Sequence, residues 1–128
     1  MLDDRNITAS SQQFAEPHGR IWPRESNEFA WNALLGEGHE EKDISPYIAP
    51  ARATDLAGLP TTYIDVGSAE VFRDEDIKYA LGLLEAGVQT ELHVWRGGYH
   101  GYDVFGGAAP VSLETTATRS NWMQRILA

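Results

Sequence analysis

Between Pro60 and Arg96 the chain reads Thr61-Thr62-Tyr63-Ile64-Asp65-Val66-Gly67-Ser68-Ala69-Glu70-Val71-Phe72-Arg73-Asp74-Glu75-Asp76-Ile77-Lys78-Tyr79-Ala80-Leu81-Gly82-Leu83-Leu84-Glu85-Ala86-Gly87-Val88-Gln89-Thr90-Glu91-Leu92-His93-Val94-Trp95. Residues 61–66 are rich in β-branched and aromatic types and lie between a proline and a glycine, which predicts a strand. Residues 74–86 predict a helix: Ile77, Ala80, Leu81 and Leu84 recur at helical spacing as one buried stripe, three acids load the first turn and Gly87 ends it. Residues 88–95 alternate, with Val88, Thr90, Leu92 and Val94 on one face. Gln89, Glu91, His93 and Trp95 form a wetter one, as at a sheet margin. Strand, helix and strand in this order form a βαβ unit, so the fold class is α/β with parallel strands and a right-handed crossover.

That topology defines two loops. In a parallel pair, the segments after both strands emerge at the same carboxyl edge, where open α/β sheets place their sites. The first loop is Gly67-Ser68-Ala69-Glu70-Val71-Phe72-Arg73-Asp74-Glu75, and the second is Arg96-Gly97-Gly98-Tyr99-His100-Gly101-Tyr102-Asp103. A carboxylate in one and an imidazole in the other are half of a nucleophilic catalytic apparatus, the acid fixing the tautomer of the base. Glycines around His100 let the backbone turn sharply there. The alternative for these residues is a solvated loop histidine and surface-paired acids.

Outward from this unit, Ser26 to Gly36 predicts a helix over 26–35 opened by Ser26 and stopped by Gly36. Phe29, Ala30, Ala33 and Leu34 form one apolar side and Trp31 and Leu35 a second, so cover on more than one side is expected. A last helix is expected over 112–127, opened by Ser112. Residues 1 to about 25 read as irregular, interrupted by Pro17, Gly19 and Pro23. Glu37 to Asp43 reads as a charged surface loop, and Pro46, Pro50 and Pro60 hold the connection to the first strand semi-extended.

The 128 residues suit one domain, and 42% hydrophobic with 23% charged composition predicts a packed core. Ten basic against nineteen acidic residues give a formal charge of −9. That balance excludes nucleic acid and anionic membrane surfaces as partners, because both need clustered Lys and Arg. The chain has no cysteine, so disulfides, thiolate catalysis and thiolate-bound metals are excluded. No apolar run approaches the roughly 18 residues of a spanning helix, and Met1 leads into Asp3, Asp4 and Arg5. A cytoplasmic protein is expected. His18, His39, His93 and His100 show no metal-ligand spacing, and Gly97-Gly98 and Gly106-Gly107 lack the Lys-Ser/Thr of a phosphate loop. Neither a metal nor a cofactor is expected. His93 reads as a surface residue and the paired glycines as hinges of the histidine loop.

The wording of the two loops resembles a known family. Asp65-Val66-Gly67-Ser68-Ala69-Glu70-Val71-Phe72-Arg73-Asp74-Glu75-Asp76, then Tyr79-Ala80 and Leu84-Glu85-Ala86-Gly87-Val88, looks like the carboxyl-terminal third of the α/β-hydrolases. The likeness is to the hormone-sensitive-lipase-like esterases of the fold-3 group. Leu2-Asp3-Asp4-Arg5, Trp31-Asn32, Ile44-Ser45-Pro46-Tyr47 and Ala57-Gly58-Leu59-Pro60 extend it over the whole chain. The resemblance implies a single partial domain over 1–128, with 1–59 preceding the acid strand and 60–128 carrying acid and histidine.

By this resemblance Glu70 is the catalytic acid and His100 the catalytic histidine of a carboxylic-ester hydrolase acting on a small-molecule ester. Asp74 is then left as a helix cap, Asp103 comes too soon after the histidine to orient it, and Asp65 bonds backbone or an arginine. Trp22, Phe29, Trp31 and Leu35 are candidates for an acyl pocket, with core burial as the alternative.

The family's nucleophile sits in Gly-x-Ser-x-Gly and its oxyanion loop in a His-Gly-Gly motif. Ser10, Ser11, Ser26, Ser45, Ser68, Ser112 and Ser120 all lack that setting. The missing parts are therefore expected upstream of Met1, and the chain is expected to be inactive alone. Two alternatives stand beside the esterase reading: a non-catalytic unit that oligomerises through an exposed strand edge, and the end of a prolyl-oligopeptidase-type serine peptidase.

Overall fold

The computed structural model describes residues 1–18 and 21–128; Gly19, expected to break the first segment, lies outside the described residues. Strands β1 (Thr62–Ala69) and β2 (Thr90–Tyr99) pair in parallel with Thr62 opposite Thr90 and Val66 opposite Val94. Helix α3 (Arg73–Glu85) makes the crossover. The α/β unit is as expected, but both strands run past 61–66 and 88–95 at their carboxyl ends. The reason is a close approach of two backbones. A Cβ on Gly67 would stand 2.1 Å from the Gly98 carbonyl oxygen, so only glycine lets the strands stay together beyond Val66. The register shifts between Gly67 and Ala69, and this bulge re-aims the residues beyond it, Glu70 first among them.

The buried stripe of α3 is rotated from the expected one. Ala80 and Leu83 are buried with Glu75, whereas Leu81 and Leu84 are half exposed. Helical spacing found the right period; which side is covered depends on what packs there. Here that includes the amino-terminal segment, whose Leu2 amide donates to Glu75 Oε1 at 2.6 Å.

Helix α5 (Pro110–Leu127) covers the face of Tyr63, Asp65, Glu91 and His93. Arg119 reaches Asp65 with Nε at 2.7 Å and Nη2 at 2.8 Å, and Tyr63 meets Trp122 ring to ring. The face expected to be a wet margin is thus under a helix. His93 stacks on Trp95 there and is not a plain surface residue. The helix opens at Pro110, whose fixed φ suits its first turn; Ser112 is buried and donates to the Tyr102 carbonyl instead.

The first half contains more structure than its composition suggested. Helix α1 (Ala9–Gln13) is capped by Thr8, which accepts from the Ser11 amide. Helix α2 (Arg24–Leu35) begins after Pro23, so Ser26 lies inside it, although Gly36 at φ +80° ends it as expected. Its buried line is Asn27 and Trp31; Phe29 and Leu34 face outward, which corrects the apolar sides assigned to them. His39, within the expected surface loop, is buried in a short 3-10 turn (His39–Glu41), and Pro50–Arg52 forms another rather than an extended segment. These turns meet at Asp4. Its carboxylate receives Arg52 Nε and Nη2, each at 2.8 Å, and lies 3.0 Å from His39 Nδ1. Among the described residues no helix is long and apolar enough to cross a membrane.

Candidate active site

Glu70 comes directly after β1 and His100 directly after β2, so the topology delivers both side chains to one rim. Glu70 Oε2 lies 3.0 Å from His100 Nδ1. Its other oxygen accepts from the Val71 amide at 2.8 Å, which leaves the carboxylate little freedom to swing. Glu70 is buried, and burial raises its carboxyl above the usual range; His100 and the Val71 and Phe72 amides oppose the rise. The imidazole is more open, with 37% of its side chain exposed. Gly101, at φ +71°, turns the chain straight into the short helix α4 (Tyr102–Phe105).

Two aromatic rings flank the imidazole. Trp22 stacks on it with centroids 5.4 Å apart and planes 26° apart; Phe72 presents an edge at 5.8 Å. The cavity beside them has a volume of about 260 Å³ and is lined by Phe14, Ile21, Trp22, Val71 and Tyr99 together with Glu70 and His100. A buried carboxylate on Nδ1 fixes the proton there and leaves Nε2 as the basic nitrogen, an arrangement suited to taking and returning a proton at the mouth of an apolar cavity.

The other candidates are occupied elsewhere. Asp74 does not cap its own helix by its side chain; it accepts from the Ser10 amide at 2.7 Å, at the start of α1, while Ser10 Oγ accepts from the Asp74 amide at 3.1 Å. Asp65 and Asp103 both bind Arg119. Ser68 Oγ accepts from the Gly97 amide at 2.8 Å, fastening the two strand ends. Of the four acyl-pocket candidates only Trp22 lines the cavity; Trp31 is core, Phe29 is 75% exposed and Leu35 is half-buried. Phe14 and Ile21 were missed. Ile21 adjoins Trp22 in an otherwise polar stretch, and that adjacency was the available signal; Phe14 offered none beyond being apolar there. Among the described residues no group of three or more His, Cys, Asp or Glu side chains gathers as a metal site.

A family model described as alpha/beta hydrolase fold matches residues 1–104. The chain is similar to the esterase LipI of Mycobacterium tuberculosis, 41% identical over 69 residues that make up 54% of this chain and 22% of that protein. Among solved structures it resembles a bacterial heroin esterase, with TM-score 0.85 and 42% identity over 92% of this chain and 37% of that one. It also resembles the esterase LipW from Mycobacterium marinum, with TM-score 0.81 and 36% identity over 94% of this chain and 36% of the other. The chain thus spans between about a fifth and two fifths of the length of these relatives.

Proposed function

Because this chain belongs to the alpha/beta hydrolase fold-3 family, we propose that it carries the acid and the base of a carboxylic-ester hydrolase whose serine nucleophile lies outside these 128 residues. The observation that carries the reading is the 3.0 Å contact between Glu70 Oε2 and His100 Nδ1 at the carboxyl rim of a parallel pair. The relatives' esterase names support the reaction class. The residues support the roles.

In this reading His100 Nε2 takes the proton of the incoming serine hydroxyl as its oxygen attacks the ester carbonyl. The imidazolium, stabilised by Glu70, returns that proton to the departing alcohol and leaves an acyl-enzyme. Water then attacks, its proton passes through the same nitrogen back to serine oxygen, and the carboxylic acid is released. The cavity lined by Phe14, Ile21 and Trp22 takes an apolar part of a small-molecule ester.

The test uses p-nitrophenyl acetate. The 128 residues alone should show negligible hydrolysis. Joined behind the Gly-x-Ser-x-Gly portion of a relative, they should hydrolyse it, and His100→Ala should lower kcat by about a thousandfold or more. Robust His100-dependent turnover by the chain alone would overturn the assignment of the nucleophile. An in-frame Gly-x-Ser-x-Gly in the DNA ahead of the start codon would support it independently.

A second reading rests on a different observation. Among the described residues β1 pairs only with β2, so its other edge has no strand beside it. On that reading the chain is a non-catalytic unit that joins copies through the free edge.

A further inference from the structure

A single hydrogen bond at Nδ1 does not hold an imidazole, because the ring can still swing about the contact. His100 is especially exposed to this. It sits between Tyr99 and a left-handed Gly101, with more than a third of its side chain open to solvent. Its acid is rigid, buried and tied to the Val71 amide; nothing comparable fixes the base from its own loop. The groups that close on the ring come from elsewhere in the chain. Trp22, in the segment between α1 and α2, lies over the imidazole at 5.4 Å, and Phe72 abuts it edge-on at 5.8 Å.

We propose that Trp22 is a positioning residue: its indole holds the His100 imidazole in the orientation that keeps Nδ1 on Glu70 and leaves Nε2 facing the cavity. The proposal rests on the reading of Glu70 and His100 as acid and base, and it adds a residue from the first half of the chain. A stacked aromatic pair of this kind biases the ring by roughly two- to twelvefold. The relevant property of Trp22 is therefore a flat face, not bulk.

The experiment is proton–nitrogen NMR of the histidine ring nitrogens in the labelled chain, at alkaline pH where imidazoles are neutral. A free imidazole favours the proton on Nε2, so a proton on Nδ1 of His100 is diagnostic. The unaltered chain should show the Nδ1–H form predominating, with the ring protons of His100 displaced upfield by the indole. Trp22→Leu, apolar but not flat, should lower the ratio of Nδ1–H to Nε2–H by roughly two- to twelvefold. Trp22→Phe should restore most of it, and Glu70→Ala should abolish the preference in any background.

An unchanged ratio in Trp22→Leu, with the preference lost in Glu70→Ala, overturns the role of Trp22 and leaves the acid–base pair standing. An Nε2–H form in the unaltered chain overturns the pair itself. If Trp22→Leu does not fold, the ring-current displacement in the unaltered chain decides: its absence overturns the proposal, and its presence with rescue by Trp22→Phe supports it.

Discussion

Removing the Asp4 carboxylate would leave two side chains facing a gap. Arg52 aims two nitrogens at it and His39 a third, and both Asp4 and His39 are buried. Burial pushes the Asp4 carboxyl up, but the hydrogen bonds from Arg52 and His39 outweigh it and hold the group down at about 2. Arg52 is only partly buried and its Nη2 keeps the Glu40 carbonyl at 2.9 Å, so the cost comes from the donors left without Asp4 and is about 1–3 kcal/mol. Asp4→Ala should therefore lower the urea midpoint by far more than Glu37→Ala, a change at an exposed position of the same region. A shift equal to that of Glu37→Ala would show that the three side chains do not act together.

At the scale of elements the decisive contact is between two strand ends. Gly67 and Gly98 meet backbone to backbone, and a methyl group at Gly67 has a carbonyl in its place. Gly67→Ala should spread β1 from β2 past Val66 and carry His100 away from Glu70. The expected loss is about 3 kcal/mol, the upper end of what overpacking ordinarily costs. Gly58→Ala supplies the contrast. A Cβ there meets nothing within 4 Å and only its φ of +74° is strained, so about 1 kcal/mol is expected. Chemical denaturation of both variants checks the order.

Much of this unit was legible in advance, because alternation and helical period are properties of local sequence. The βαβ order placed Glu70 and His100 on one rim before any coordinate did. The strand lengths were not legible, since glycine pairs ordinarily weaken strands and only the opposite backbone shows why these extend one. The buried side of α3 and the depth of His39 were hidden for a related reason. Each depends on partners far along the chain, Leu2 for Glu75 and Asp4 for His39. Trp22 was legible as an aromatic near a site, but its stacking on His100 was not.

For the whole molecule, acidity sets both stability and association. Burial pushes the Glu75 and Asp76 carboxyls up to about 7. Groups raised in the folded state take up protons that the unfolded chain releases. Their contribution is full below the ordinary carboxylate range and is lost as pH rises through about 7. Asp4 works in the opposite sense: its contribution is present above its ordinary value and is lost as pH falls toward 2. Urea midpoints should therefore be highest near about pH 4, where Asp4 is charged and Glu75 and Asp76 still hold their protons, with lower values at about pH 8 and at about pH 2. A midpoint that rises steadily from acid to alkaline conditions would contradict the burial of Glu75 and Asp76.

The free edge of β1 and the charge of −9 act against each other between copies. Self-association should be weak at low salt and should strengthen as salt screens the repulsion. Light scattering that reports an unchanging monomer at every ionic strength would remove the edge as an interface.

The reciprocal contact of Ser10 with Asp74 has one more consequence. Each amide is fastened by the other residue's side chain, so neither can exchange with solvent while its counterpart stays closed. The arm bearing the cavity's tryptophan and the loop bearing its glutamate should thus open as one cooperative unit. Their two amide protons should share a single protection factor against deuterium exchange, though they lie on different helices and far apart along the chain.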